Sequence, residues 1–142
     1  MKRILFLCTG TSARSQMAEG LLRHEAGERF EVFSAGTRPS RVRPEAIAVM
    51  NELGIDISGH RSKSIDEFIA PISDQPLDTV ITVCDHANES CPVFPGHTQR
   101  LHWPFEDPAA VDGTEEQRID AFRRVRDRIH GRIMVFLGEG QA

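Results

Sequence analysis

The sequence predicts an α/β fold with three layers, in which a four-stranded parallel sheet is flanked by helices. Short apolar runs with strand character alternate along the 142 residues with segments whose apolar residues recur every three or four positions. Such alternation is typical of right-handed β-α-β units around a parallel sheet. Because no repeat or long linker divides the chain, we expect one domain over residues 1–142.

Four segments have strand character. They cover residues 4–7, 30–34, 78–83 and 100–103. The first is continuously apolar, which favours a strand buried on both faces of a sheet. The second is closed by Ala35-Gly36, and the third is rich in β-branched residues. Trp103, at the end of the fourth, is expected in the core.

Four further segments have helical character. They are a helix from Ser15 that ends at Gly27, one from Pro44 to Gly54, a short one over 64–69, and a last one after the N-cap residue Thr114. In the first, Met17, Ala18, Leu21 and Leu22 form the apolar face. In the second, the expected buried stripe is Ile47, Met50 and Leu53. In the last, the stripe is Ile119, Phe122, Val125, Ile129 and Ile133.

Composition excludes several classes of protein. The formal net charge of -4 argues against general nucleic-acid binding, which favours a basic surface. No apolar run approaches the roughly 20 residues of a membrane span, and the one at the N-terminus is too short for a signal peptide. The three cysteines contain no CxxC pair, and no zinc-ligand spacing is present. We therefore expect a cytoplasmic protein without a metal site.

Three reactive side chains follow predicted strands. Cys8 ends the first strand, Cys84 follows the third, and Asp107 comes shortly after the fourth. In open α/β sheets, ligands bind beyond the carboxyl ends of the strands. These three residues are therefore expected at one edge of the sheet.

The segment C-T-G-T-S-A-R-S at 8–15 joins a strand to a helix, as an anion-binding loop does. Gly10 permits close approach of the backbone, and the Arg14 guanidinium can hold two oxygens of a tetrahedral anion. The same surroundings favour a thiolate at Cys8, the expected nucleophile, to which Ser15 is placed to donate a hydrogen bond. The candidate oxyanion-binding residues are Thr9, Gly10, Thr11, Ser12, Ala13, Arg14 and Ser15.

The longer string C-T-G-T-S-A-R-S-Q-M-A-E-G resembles the active-site loop of the low-molecular-weight tyrosine phosphatase fold. Within that fold the chain is similar to the thioredoxin-coupled arsenate reductases. The matching motifs are F-S-A-G at 33–36, G-I-D-I-S at 54–58, V-C at 83–84, C-P at 91–92 and W-P-F-E-D-P-A at 103–109. The resemblance implies that fold and the reduction of arsenate to arsenite without a cofactor.

Cys84 and Cys91 favour the reductase over the phosphatase. A phosphatase needs one thiolate, whereas reduction of arsenate needs two electrons, which oxidation of two thiols supplies. The two cysteines are seven residues apart, about 10 Å along a helix, so a disulfide requires the segment to be non-helical or to unwind. The resemblance implies a relay in which Cys8 attacks arsenate, Cys84 attacks Cys8, and Cys91 attacks Cys84.

The resemblance also assigns supporting residues. It gives Asp107 the role of general acid, with an extended backbone favoured by Pro108, although Glu106 is a neighbouring candidate. Some family members hold potassium beside the loop. Here Glu19 and Ser34 match that site, but Thr11 replaces its Asn and Lys63 stands near the position of its Asp. We expect the Lys63 ammonium to pair with Glu19, so that potassium activates little.

Two other functions stay open on the sequence. The first is a low-molecular-weight phosphatase that acts on phosphotyrosine or a small phosphoester, and the second is a non-catalytic thiol protein that binds arsenite. The expected partners are arsenate, with phosphate or sulfate as mimics, and thioredoxin. Neither nucleic acid nor membrane is expected as a partner, and we expect a monomer.

Overall fold

The computed structural model describes residues 2–8, 13–36, 42–59, 77–83 and 98–138. The strands are β1 (Lys2–Cys8), β2 (Phe30–Gly36), β3 (Thr79–Thr82) and β4 (Gln99–His102). The helices are α1 (Arg14–Ala26), α2 (Pro44–Asn51) and α3 (Glu115–Gly138), with a short 3-10 turn at Pro108–Ala110. The helix predicted at 64–69 lies outside the described residues.

The strands form one parallel sheet in the order β2-β1-β3-β4, which confirms the predicted four-stranded α/β fold. Residues 4–7 of β1 are at most 1% exposed, as expected for a strand covered on both faces. From β1 the chain first moves to β2 on one side and later to β3 on the other. In such sheets the crevice that binds ligands lies where the direction reverses, here between the carboxyl ends of β1 and β3.

Strand β2 is two residues longer than predicted. It continues to Gly36 because Ala35 and Gly36 pair with Leu7 and Cys8 of β1. The Ala-Gly pair therefore extends the ladder instead of closing it. The bounds of β3 and β4 each lie within one residue of the prediction.

The first helix packs as predicted. Its apolar residues Met17, Ala18, Leu21 and Leu22 are all fully buried. Gly27 follows its last residue with a φ of -62°, so the helix ends without a left-handed turn. A Cβ atom at this position would clash with the Arg23 carbonyl oxygen, which explains why glycine stands there.

The prediction for the second helix is wrong at its C-terminal end. The helix ends at Asn51, and Leu53 is 39% exposed because it lies in the following turn. Gly54 has a φ of +74°, and the Ile55 N–H donates back to the Met50 carbonyl at 3.1 Å. The buried residues of the helix are Ala46, Val49 and Met50, whereas Ile47 is partly buried.

Thr114 caps the last helix as predicted. Its Oγ1 accepts from the Gln117 N–H at 3.1 Å, and the Thr114 N–H donates to Gln117 Oε1 at 2.9 Å, so the two residues form a reciprocal capping box. The predicted stripe is buried at Phe122, Val125, Ile129 and Ile133, and Ile119 is partly buried. No helix among the described residues is long and apolar enough to cross a membrane.

Helix α3 is fixed to α2 by a buried arginine. The guanidinium of Arg126 donates to the Val49 carbonyl and to Glu52, both at 2.8 Å. Arg123 adds a second contact with Glu52, from Nη2 to Oε2 at 2.7 Å. Two turns from the end of α3, Arg132 lies 4.6 Å from the ring centroid of Trp103, which is 4% exposed and in the core as predicted. The last helix thus connects α2 with the end of β4.

Candidate active site

Strands β1 and β3 lie side by side at the predicted nucleophile. Cys8 is the last residue of β1 and is 3% exposed. The Val83 N–H donates at 2.9 Å to the Leu7 carbonyl, which belongs to the peptide that leads into Cys8. The chain therefore leaves β3 beside Cys8, at the residue directly before Cys84.

The N-terminus of α1 directs backbone N–H groups out of the helix. Its N-cap is Ala13, whose methyl side chain cannot accept a hydrogen bond, and the first bond of the helix runs from the Met17 N–H to the Ala13 carbonyl at 2.9 Å. The N–H groups of the first turn are thus left without partners inside the helix, as at helix termini that bind anions. Ser15 is fully buried, and its hydroxyl has no hydrogen-bond partner among the described residues. This arrangement suits an oxyanion or a thiolate.

The Arg14 side chain connects α1 with the segment after β4. Its Nη1 donates to the Phe105 carbonyl at 3.0 Å, and its Nη2 lies 4.0 Å from Asp107 Oδ2. The side chain is 13% exposed, so the guanidinium is held within the protein. The Phe105 N–H donates to the Val83 carbonyl, although the distance of 3.4 Å is long. Phe105 therefore lies between the predicted anion-binding arginine and the chain that leads to Cys84.

Asp107 and Glu106 have different surroundings. The backbone of Asp107 is extended, with φ -82° and ψ 109°, as expected before Pro108, and Oδ1 accepts from the Ala109 N–H at 2.9 Å. Its other oxygen is the one near Arg14. Glu106 instead pairs with Arg128 of α3 at 3.0 Å. Of the two candidates for the general acid, Asp107 is the one whose carboxylate lies near Arg14, the predicted anion-binding arginine.

Glu19 and Ser34, the two matches to a cation site, contact each other. Glu19 is 3% exposed, Ser34 is fully buried, and the Ser34 hydroxyl donates to Glu19 Oε1. The other carboxylate oxygen lies 2.6 Å from Arg23 Nη2. The cation expected for Glu19 from the sequence, Lys63, lies outside the described residues. Among the described residues, Arg23 is a cation that contacts Glu19.

Several predicted site residues lie outside the described residues. They are Thr9, Gly10, Thr11, Ser12, Lys63, Cys84 and Cys91. Two contributors were not predicted, the Phe105 carbonyl and Arg23. A backbone acceptor leaves no signal in a sequence, whereas the spacing of four residues between Glu19 and Arg23 is typical of ion pairs on helices.

Comparison with known proteins matches residues 3–141 to the family described as low molecular weight phosphotyrosine protein phosphatase. The chain belongs to this family. It is 46% identical over 140 residues to an arsenate reductase from Halalkalibacterium halodurans, and the match covers 99% of this chain and 98% of the relative.

Solved structures agree with this assignment. An arsenate reductase in the phosphate-binding state superposes with a TM-score of 0.75 at 36% identity, and the match covers 98% of both chains. A thioredoxin-dependent arsenate reductase from Corynebacterium glutamicum has a TM-score of 0.73 at 27% identity, with 97% of this chain and 61% of the other covered. The predicted resemblance to arsenate reductases with this fold is confirmed.

Proposed function

We propose that this chain reduces arsenate to arsenite by a relay of three cysteines, which thioredoxin returns to the reduced state. Arsenate reductase activity is supported by relatives of that name over nearly the full length. The relay is supported by the hydrogen bond between the Val83 N–H and the Leu7 carbonyl, because it brings the residue before Cys84 beside the strand that ends at Cys8. A phosphatase has no use for a second thiol at this place.

The first step uses the end of β1 and the N-terminus of α1. The Cys8 thiolate attacks arsenic in an arsenate held by the loop and by Arg14, and an S–As bond forms. One oxygen leaves as water after it takes a proton, which we assign to Asp107 because its carboxylate lies 4.0 Å from Arg14. We assign to the Ser15 hydroxyl, which is buried and has no hydrogen-bond partner among the described residues, the role of stabilising the Cys8 thiolate.

The second and third steps transfer electrons. The Cys84 thiolate attacks the Cys8 sulfur, so that a Cys8–Cys84 disulfide forms, the S–As bond breaks, and its electron pair stays on arsenic, which leaves as arsenite. Cys91 then attacks Cys84, which forms the Cys84–Cys91 disulfide and releases the Cys8 thiolate. Thioredoxin supplies two electrons to reopen that disulfide. Because these exchanges need a reducing compartment, we assign the protein to the cytoplasm.

The relay is tested with Cys91→Ser in an assay that couples arsenate, thioredoxin, thioredoxin reductase and NADPH. We expect the wild-type protein to oxidise NADPH in proportion to arsenate. The variant should release about one equivalent of arsenite and then stop, because the Cys8–Cys84 disulfide has no resolving thiol. The neighbouring substitution Ser90→Ala is the matched control and should turn over normally. Sustained turnover of Cys91→Ser would exclude the relay.

The alternative, a phosphatase, is favoured by the family and by the anion-binding end of α1. It predicts hydrolysis of an aryl phosphate without thioredoxin, at a rate that Cys84→Ser and Cys91→Ser leave unchanged. Absence of NADPH oxidation with arsenate, together with efficient hydrolysis, would decide for this alternative. Slow hydrolysis of the aryl phosphate together with arsenate reduction would not favour the phosphatase, because both reactions use the same loop.

A further inference from the structure

A buried acidic residue lies in the second turn of α1, close to the end proposed to bind the anion. Glu19 is 3% exposed, and its two carboxylate oxygens contact the Ser34 hydroxyl of β2 and the Arg23 guanidinium. Arg23 Nη2 also donates to the Val32 carbonyl of β2 at 2.5 Å. The guanidinium therefore bridges helix and strand while it neutralises the acid.

The spacing of these residues places the acid close to the proposed substrate site. Ser15, Glu19 and Arg23 are four residues apart, so they share one face of α1. Glu19 follows Arg14 by five residues, which corresponds to about 7.5 Å along the helix axis. An unneutralised carboxylate at this distance opposes both a bound oxyanion and a thiolate at Cys8, because little water separates buried charges.

We propose that Arg23 is a positioning residue for anion binding, which acts by neutralising Glu19 and holding it against β2. This inference rests on the anion-binding role proposed for the loop. The role of Arg23 is electrostatic: its charge offsets the charge of Glu19, which opposes the positive potential that the helix N-terminus and Arg14 give the end of α1. Without Arg23, the Glu19 charge subtracts from that potential. The Ser34 hydroxyl donates to Glu19 with or without Arg23, but it is uncharged and does not offset the Glu19 charge.

The test measures inorganic phosphate binding by calorimetry and the pKa of the Cys8 thiol from the pH dependence of its alkylation. Both are measured in a Cys84→Ser/Cys91→Ser background. Arg23→Met keeps most of the aliphatic stem but removes the charge. We expect it to weaken phosphate binding by about 3- to 10-fold and to raise the thiol pKa by about half a unit to one unit.

Three further variants separate charge from structure. Arg23→Lys should bind phosphate within about twofold of the background protein. Glu19→Gln alone should bind it as tightly or more tightly, because it removes the opposing charge, and this variant keeps the proposal testable if Arg23→Met does not fold. Glu19→Gln/Arg23→Met should recover the affinity and thiol pKa that Arg23→Met loses.

A purely structural role would give a different pattern. If Arg23→Met lowers the melting temperature but leaves the phosphate affinity and the Cys8 pKa unchanged, the proposal is overturned. It is also overturned if the double variant binds phosphate as weakly as Arg23→Met. Failure of the proposed function looks different, because the unmodified protein would then not reduce arsenate, whether or not it binds phosphate.

Discussion

The substitution Arg14→Lys tests whether the anion is held by a planar fork of donors or by charge alone. A guanidinium has five N–H donors, and in this protein Nη1 already donates to the Phe105 carbonyl at 3.0 Å. The remaining donors are available for two oxygens of the anion. A lysine keeps the charge but carries its donors on one atom, so it cannot contact Phe105 and two anion oxygens in the same geometry.

The expected loss follows from the number of hydrogen bonds. A hydrogen bond to a charged group contributes roughly 1.5–3 kcal/mol. Loss of one or two such bonds, partly offset by the retained charge, gives about 2–4 kcal/mol, which corresponds to a roughly 30- to 1,000-fold fall in kcat/KM for arsenate. The assay is arsenate-dependent NADPH oxidation with thioredoxin and its reductase, and phosphate affinity is measured in parallel.

Arg128→Lys is the matched control for Arg14→Lys. Arg128 is also an arginine paired with an acid, but its side chain is 61% exposed and its partner is Glu106. Exposed pairs of this kind contribute little, so the control should stay within about twofold of the wild-type protein. If Arg14→Lys also stays within about threefold, then charge alone holds the anion and the guanidinium geometry contributes nothing to binding.

Three other results are expected. Asp107→Asn should slow single-turnover release of arsenite by about 10²–10⁴-fold while phosphate still binds, and an unchanged rate would remove Asp107 as the acid. Hydrogen bonding from Arg123 lowers the pKa of Glu52 from its ordinary value near 4.5. The ionised Glu52 therefore stabilises the folded protein fully above pH 4.5, and this stabilisation is lost as pH falls through the lowered pKa. In urea titrations, the free energy of unfolding of the wild-type protein should exceed that of Glu52→Gln by less below about pH 4.5 than above it. A difference that does not change with pH would contradict this. Since Arg23 already supplies a cation to Glu19, exchange of sodium for potassium should change arsenate reduction less than about twofold, and a several-fold potassium-specific rise would argue against it.

Much of the fold can be predicted from the sequence because the core elements have strong local signals. The continuous apolar run of β1, the apolar stripe of α3 and the Thr114 cap each predict an element that the structure contains. Leu53 shows the limit of such patterns. Its spacing from Met50 continues the helical stripe, yet the backbone turns after Asn51, and the turn depends on a left-handed Gly54 and its hydrogen bonds.

The part of the candidate site that could be predicted consists of side chains that lie close together in the sequence. Cys8, Arg14 and Ser15 belong to one loop and the helix that follows it, so their spacing indicates a nucleophile beside an anion-binding loop. The Phe105 carbonyl has no such signal, since it reaches Arg14 only through the packing of a segment 91 residues further along the chain. For Glu19, the pairing with Lys63 stays a prediction, because Lys63 lies outside the described residues. The helical spacing of four residues indicates a second cation, Arg23, whose Nη2 lies 2.6 Å from Glu19 Oε2.

The place of β1 in the sheet explains how one strand end can serve two chemistries. On the β2 side, Cys8 pairs with Gly36, which has no side chain to compete for the space beside the thiol. On the β3 side stands Val83, whose N–H is bound to the Leu7 carbonyl. The proposed anion binding uses only the end of β1 and the start of α1, so a thiol after β3 leaves it intact. On this argument the reductase chemistry depends on the residues after Val83, and substitutions of the cysteines there should abolish turnover while phosphate binding at the α1 terminus persists.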